Sequence, residues 1–184
     1  YNGPGIEFFH GIKSAVGEST IIAEDLGVIT ADVTELRESI NAPGMVILQF
    51  AWGSDGKNPH LPHNHSENSV CYTGTHDNET SYGWYWNQND SIRKKLKNYA
   101  HVTSSNCVWD LVSCAMASVS KTCIIPMQDI LNLGNEARMN TPGVADGNWT
   151  WRVGSPHFFA RLAPEATKLA QMVTLYGRTQ DIEG

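Results

Sequence analysis

Two acidic residues of the sequence stand just behind short apolar runs, at positions from which a carboxyl group could reach a ligand. Glu24 follows the run at residues 21–23, and Asp77 follows the run at residues 70–74. Paired carboxyl groups are typical of glycoside chemistry, in which one of them protonates the leaving oxygen. Each acid also has a plain structural interpretation, as the cap of a turn or helix. The pattern leaves both interpretations open.

A polar stretch at residues 58–65, with the sequence NPHLPHNH, brings three histidines together. His60, His63 and His65 have a spacing that could serve a metal ion, but zinc sites usually add cysteine or glutamate ligands. The preferred interpretation is therefore a proline-braced loop that lines a substrate groove, with metal binding as the alternative.

A second loop, LGNEARMN, contains Glu136 and Arg138. It is interpreted either as a salt-bridged structural loop or as a source of hydrogen bonds to sugar hydroxyls. The sequence has no GxGxxG or GxxxxGK[ST] pattern for a phosphate-bearing ligand. We therefore expect no cofactor and no metal.

Hydrophobic periodicity and turn residues predict alternating helices and strands along the chain. Four apolar runs are predicted as buried parallel strands. These predicted strands lie at residues 20–23, 45–52, 70–74 and 122–127. Helices are predicted at residues 5–16, 31–40, 79–86, 91–99, 107–119 and 164–176. Such alternation implies right-handed crossovers between parallel strands.

The positions of the two acids select one architecture among α/β folds. Glu24 and Asp77 each lie where a predicted strand ends, and a TIM barrel carries its catalytic groups at the carboxyl ends of its strands. A closed barrel needs eight strands and roughly 250 residues, whereas this chain has 184 residues. The predicted fold class is α/β, the C-terminal half of a (β/α)8 TIM barrel with about four parallel strands. Residues 1–184 would then be one portion of a single catalytic barrel whose N-terminal half is absent.

Composition excludes several classes of partner. The formal net charge is −6, and basic clusters are few, so we expect no nucleic-acid or anionic-membrane partner. No run of apolar residues is long enough to cross a bilayer. The four cysteines form no CxxC pair and are predicted to be free thiols.

Six strings of the sequence together resemble the 4-α-glucanotransferases, also called amylomaltases or disproportionating enzymes, of glycoside hydrolase family 77. In order they are IIAEDLGVIT, APGMVILQFAW, NPHLPHNH, YTGTHDNET, IIPMQDILNLGNEARMNTPG and GNWTWR. The resemblance extends over residues 3–176 and is strongest to the plastid enzyme of plants. The THDN string is shared with the wider α-amylase clan, whereas NPHLPHN and NEARMNTPG separate this family from amylases.

The resemblance implies an enzyme that cuts an α-1,4 bond of a glucan and passes the donor segment to the 4-hydroxyl of another glucan. The reaction retains anomeric configuration through a covalent intermediate, in starch and maltooligosaccharide metabolism. By motif, Glu24 matches the acid/base and Asp77 the residue that stabilises the transition state. His76 would hydrogen-bond the sugar, and Asp25 and Asn140 are candidate substrate contacts.

The family nucleophile, an aspartate in an Arg-x-Asp context, has no match before Glu24, and residues 1–20 contain no aspartate. We therefore expect the isolated chain to have negligible transferase activity. The plant resemblance implies a plastid (chloroplast) stroma, with the bacterial cytoplasm as the alternative. An α-amylase-clan hydrolase and a truncated, non-catalytic glucan-binding product remain as alternative functions.

Overall fold

A three-stranded parallel sheet lies at the centre of the computed structural model, which describes residues 3–155 and 157–179. Its strands are β1 (Gly44–Ile47), β2 (Ser69–Tyr72) and β3 (Thr122–Ile124), in the spatial order β1-β2-β3. β1 pairs with all four residues of β2, and β2 pairs with β3 through the last three of its own residues. All three carboxyl ends therefore face the same edge of the sheet.

The described residues form seven α-helices. They are α1 (Ile6–Val16), α2 (Ala31–Ser39), α3 (Ser81–Asn87), α4 (Asp90–Ala100), α5 (Cys107–Met116), α6 (Met127–Ile130) and α7 (Ala163–Leu175). Each predicted helix has its counterpart here, with ends within a few residues. None of these helices is long and apolar enough to span a membrane.

The last predicted strand is shorter than expected because of a proline. β3 ends at Ile124, and α6 begins at Met127 directly after Pro126. Proline has no N–H to donate to a strand ladder and is favoured at the start of a helix. The chain therefore turns into α6 where residues 122–127 were predicted to continue as a strand.

The strand predicted at residues 20–23 does not form, which corrects the expected count from about four strands to three. This segment makes one backbone hydrogen bond toward β1, from the Ala23 N–H to the Pro43 carbonyl at 3.0 Å. The next donor on that edge, the Met45 N–H, is taken by the side chain of Asp25 at 2.7 Å. The Asp25 carboxylate occupies the place of a backbone acceptor beside Met45, so residues 20–23 form no regular ladder with β1. Ile22, in the same segment, is 44% exposed, which a buried strand would not allow.

Side chains satisfy the outer edge of β1. The Ile47 N–H donates to Nδ1 of His60 at 3.1 Å, just as the Met45 N–H donates to Asp25. Gly44 is required beside this contact, since a Cβ there would collide with the Asp25 carboxylate. Capping of this kind protects an otherwise open strand edge.

Helix α5 divides the apolar core into two clusters. One row of its side chains packs against β1, α3 and α4, and another row packs against α6 and α7. The first row is Val108, Leu111 and Ala115, and the second is Trp109, Val112 and Met116. Each row has the spacing of one helical face. Because α5 is buried on two faces, it holds α3 and α6 in fixed positions. These two helices flank the polar cleft described next.

Candidate active site

The carboxyl ends of the three strands open into a cleft of about 870 Å³. The cleft lies between the segment at residues 22–27, the strand ends and the loop that follows α6. Its polar lining includes Glu24, Tyr72, His76, Asp77 and Arg138. The position at the carboxyl ends of parallel strands is the usual one for ligand sites in α/β folds.

A tight turn after β2 positions the pair His76 and Asp77. The N–H and the hydroxyl of Thr75 both donate to the side-chain oxygen of Asn78 at 2.8 Å. The Asp77 N–H donates to the Thr75 hydroxyl at 3.3 Å. The hydroxyl of Thr80, two residues after Asn78, accepts from the Gly83 N–H and caps α3. Hydrogen bonds therefore fix both the start and the end of the turn.

Only one oxygen of the Asp77 carboxylate is bonded to the described part of the chain. Asn140 donates its amide to Oδ1 at 2.6 Å, and Nε2 of His76 lies 3.2 Å from the same oxygen. Within residues 3–155 and 157–179, Oδ2 has no hydrogen-bond partner. The carboxylate is thus fixed in orientation through one oxygen, and the other remains available to a ligand.

The loop at residues 135–140 is locked onto this turn mainly by Arg138. Its guanidinium donates to the Asp77 carbonyl at 2.7 Å and to the Asn140 carbonyl at 2.8 Å. The Asn140 N–H returns a bond to the His76 carbonyl at 3.0 Å. Glu136 instead accepts from the Gly134 N–H at 3.0 Å. The loop is braced by bonds to backbone carbonyls and not by a salt bridge of Arg138 within the described residues, while the sugar contacts of this loop stay a prediction.

Glu24 lines the cleft from the segment at residues 22–27, whereas His76 and Asp77 line it from the turn after β2. The side chain of Glu24 is exposed and accepts no hydrogen bond from the described residues. Tyr72 lies nearby at the end of β2: burial raises the pKa of Tyr72, and the negative charge of Glu24 raises it further. Glu24 therefore presents a carboxyl group to the cleft with no competing partner in this part of the protein.

Of the five site residues predicted from the sequence, some lie at the cleft and one does not. Glu24, His76 and Asp77 line the cleft, and Asn140 reaches it through its bond to Asp77. Asp25 is not among the lining residues. Its carboxylate accepts from the Met45 N–H and lies 3.3 Å from the Arg37 guanidinium, so its contacts are within the protein.

A buried carboxylate in the wall of the cleft was missed by the sequence analysis. Asp129 is 2% exposed and accepts hydrogen bonds from the Thr73 hydroxyl at 2.5 Å and from the Ser81 N–H and hydroxyl at 2.8 and 2.7 Å. Burial raises the pKa of Asp129, and the bonds from Thr73 and Ser81 oppose that change. Since Thr73 and Ser81 bracket the turn that carries His76 and Asp77, Asp129 ties both ends of that turn to the start of α6.

The histidine-rich loop proves to be braced by its own hydrogen bonds. His63 bonds the Tyr99 hydroxyl at 2.7 Å and the Gly56 carbonyl at 2.8 Å through its two ring nitrogens. His65 bonds the Ser118 hydroxyl at 2.6 Å and the His60 carbonyl at 2.9 Å. No residue of the stretch 58–65 lines the cleft at the strand ends. These contacts agree with the expected rigid loop, and its position along a substrate groove stays a prediction.

The same loop gives a pH-dependent contribution to stability. Burial lowers the pKa of His60 and of His65 below the usual 6.5, and it outweighs the opposing effects of the Asp25 charge on His60 and of the bond to the His60 carbonyl on His65. The folded state therefore binds fewer protons than the unfolded chain, so the free energy of unfolding falls as the pH drops below about 6.5. We expect the melting temperature of the full-length protein to decrease as the pH is lowered from about 7 to about 5.5. Full-length here means the whole polypeptide that the source makes.

A pair of matched variants tests this expectation. His60→Asn keeps an acceptor for the Ile47 N–H but does not titrate, and should reduce the pH dependence to the part contributed by His65. His101→Asn changes an exposed histidine in the left-handed region, which asparagine also tolerates, and should leave the dependence intact. Equal slopes in the two variants would contradict the assignment to the buried loop.

Comparison with known proteins places this cleft in a family. The sequence profile of the glycoside hydrolase family 77 4-alpha-glucanotransferases matches residues 1–156. The chain belongs to that family. The sequence-based resemblance to the 4-alpha-glucanotransferases is thereby confirmed.

Individual 4-alpha-glucanotransferases agree with this assignment. The chain is 50% identical over 177 residues to the chloroplastic/amyloplastic 4-alpha-glucanotransferase DPE1 of Arabidopsis thaliana and 51% identical over 178 residues to that of Solanum tuberosum. Each alignment covers 96% of this chain and 31% of the relative. The chain thus spans about a third of the length of these relatives.

A solved structure of the family has the same fold. The amylomaltase from Streptococcus agalactiae in complex with acarbose superposes with a TM-score of 0.88 at 33% sequence identity, over 98% of this chain and 36% of that one. The parallel sheet and its helices are therefore those of the amylomaltase fold.

Two features of this family member lay beyond the sequence analysis. Asp129 could have been found, because it follows the predicted strand at 122–127 as Glu24 follows residues 21–23. Trp149 belongs to the string GNWTWR, but nothing in its spacing signals that its ring lies 5.2 Å from the ring of His76. Only the fold brings these two rings together.

Proposed function

We propose that the protein to which this chain belongs is a 4-α-glucanotransferase, which moves a segment of one α-1,4-glucan to the 4-hydroxyl of another glucan or of glucose. Family membership supports the proposal, and one observation on the site carries it. Asp77 is fixed through one oxygen and free at the other, and it shares a cleft with the unpartnered carboxyl of Glu24. One of these carboxyl groups can protonate the leaving oxygen, as glycosidic cleavage requires.

In this proposal, Glu24 first gives a proton to the glycosidic oxygen that leaves and then takes one from the incoming hydroxyl. Oδ2 of Asp77 accepts hydrogen bonds from ring hydroxyls of the reacting sugar, and these bonds strengthen as the ring flattens toward the oxocarbenium-like state. His76 holds Asp77 and offers its own ring to the same sugar. Asn140 acts on the sugar through Asp77, to which it is bonded.

Retention requires a third carboxylate, the nucleophile that forms the covalent intermediate. We propose that this nucleophile lies outside residues 1–184, which contain no Arg-x-Asp string. The three parallel strands and their helices are then part of the C-terminal half of a (β/α)8 barrel, with the cleft at the carboxyl-terminal face where such barrels hold their sites. In that arrangement residues 1–184 are one portion of a single catalytic barrel.

The same relatives support a proposal for the α-glucan partner and for the compartment. The structural neighbour is a complex with acarbose, and the plant relatives are named chloroplastic/amyloplastic. We propose α-1,4-linked maltooligosaccharides as substrates and the plastid stroma as the location. Synechocystis and Thermus thermophilus also have relatives, 48% and 42% identical, so the bacterial cytoplasm is the alternative location.

Incubation of the full-length protein with maltotriose tests the activity. Transfer should yield glucose together with longer glucans while the number of reducing ends stays constant, because every bond cut is replaced by a bond formed. A rising number of reducing ends would indicate an α-amylase-type hydrolase and contradict the proposal. The 184-residue chain alone, assayed in parallel, should show negligible transfer, since it lacks the assigned nucleophile.

A further inference from the structure

We propose that Trp149, which lies beside the cleft and is not among its lining residues, binds sugar: its indole face stacks on a glucose ring of an α-1,4-glucan next to the sugar held by Asp77. The inference rests on the proposed transferase function and adds a residue to its binding site. Its starting point is a ring contact: the centroids of Trp149 and His76 are 5.2 Å apart, with planes tilted by 36°. His76 in turn lies 3.2 Å from the Asp77 carboxylate.

The backbone of Trp149 is in an unfavourable conformation for its residue type. Four non-glycine residues of the described ranges have a positive φ: two are asparagine, one is histidine and the fourth is Trp149, at 60°. Asparagine and histidine tolerate the left-handed region comparatively well, whereas a bulky side chain there is an outlier. Such outliers persist where the surrounding structure imposes them, and they concentrate at ligand sites.

The surroundings that impose this conformation are visible. The Trp149 N–H donates to the carbonyl of Met139, a cleft-lining residue, at 2.7 Å. The preceding Asn148 holds its own loop closed, accepting from the Thr141 N–H at 2.9 Å and donating to the Val144 carbonyl at 2.8 Å. The backbone of Trp149 is therefore anchored to the same loop that fixes Asp77.

Although its backbone is anchored, Trp149 does not have a buried side chain. Trp149 is 51% exposed, so one part of the indole contacts His76 and a large part remains for another partner. A flat apolar ring beside hydrogen-bonding groups is suited to a sugar, which has apolar C–H faces and a polar rim. The ligand class that combines these features at this cleft is an α-linked glucan.

The test compares four variants of the full-length protein with the unmodified protein. Trp149→Ala removes the indole. Trp149→Gly also removes the indole, and glycine adopts a positive φ without strain, so an effect of this variant cannot be due to backbone strain. Trp149→Phe keeps a flat ring. Trp86→Ala is the matched control, because Trp86 is 47% exposed on α3 and its ring partners are Tyr82 and Tyr85 rather than His76.

We expect the Ala and Gly variants to raise KM for maltotriose and Kd for maltoheptaose about 10-fold, because a ring contact and its buried area are lost. We expect kcat to change less than about 2-fold, since the contact is made in the ground state and the transition state alike. The Phe variant should recover most of the affinity, and Trp86→Ala should match the unmodified protein. Melting temperatures measured in parallel identify any loss due to misfolding.

The failures of the two proposals are distinguishable. If the unmodified protein transfers glucan and the Gly variant keeps its KM and Kd, the inference about Trp149 is wrong and the function stands. A loss of affinity in the Ala variant that the Gly variant does not share would assign the effect to backbone strain and overturn the inference as well. If the unmodified protein neither binds maltoheptaose nor transfers glucan, the proposed function is wrong and the inference is overturned with it.

Discussion

Replacing Glu24 by glutamine in the full-length protein should lower kcat for maltotriose disproportionation by about 10² to 10⁴-fold, the usual contribution of a general acid or base. Glutamine has the size of glutamate but no proton to give to the leaving oxygen and no charge with which to accept one. Since Glu24 makes no hydrogen bond to the described residues and is exposed, the melting temperature should not change. Glu35→Gln, at an exposed position on α2, is the matched control and should keep full activity.

A change of donor separates the role of Glu24 from that of Asp77. A glucosyl donor with a fluoride leaving group needs no protonation, and azide as acceptor needs no general base. With these reagents, Glu24→Gln should regain much of its rate, because both steps assigned to Glu24 are bypassed. Asp77→Asn should also lose activity with maltotriose, but it should not be rescued, since the lost contact is to the sugar ring itself. Equal rescue of both variants would contradict the assigned roles.

Replacing Asp129 by alanine should lower the free energy of unfolding by about 3 kcal/mol or more, because removing one buried acceptor leaves several donors unsatisfied. The Thr73 hydroxyl and the N–H and hydroxyl of Ser81 all bond to this carboxylate, and both partners are 0% exposed. Denaturant unfolding of the full-length protein measures the change. Asp90→Ala is the control, since its side chain is 97% exposed and its loss should cost less than about 0.5 kcal/mol.

The activity of the Asp129 variant carries further information. Asp129 binds at both ends of the turn that carries His76 and Asp77, so alanine should also lower kcat at temperatures where the protein remains folded. Asp129→Asn keeps one acceptor oxygen and should fall between the two proteins in stability and in activity. A variant that is destabilised but fully active when folded would show that Asp129 supports the fold without positioning the turn.

The sequence was sufficient for the elements whose signals are local. Helical periodicity predicted α4, α5 and α7 to within a few residues, because a buried face repeats with the period of the helix itself. The apolar run and the turn residues after it placed β2 and put Asp77 at its carboxyl end. Six strings in order predicted the family, which comparison with its members confirmed.

The tertiary structure decided everything that depends on contacts between distant residues. The segment at 20–23 has the composition of a strand, yet Asp25 takes the Met45 N–H and the ladder does not form. Asn140 lies 63 residues from Asp77 and still bonds its carboxylate. Asp129, buried in the wall of the cleft, is bound by residues 48 and 56 positions away in the chain. A local pattern specifies which face of an element is apolar, but only folding determines which polar groups then meet at the end of the sheet.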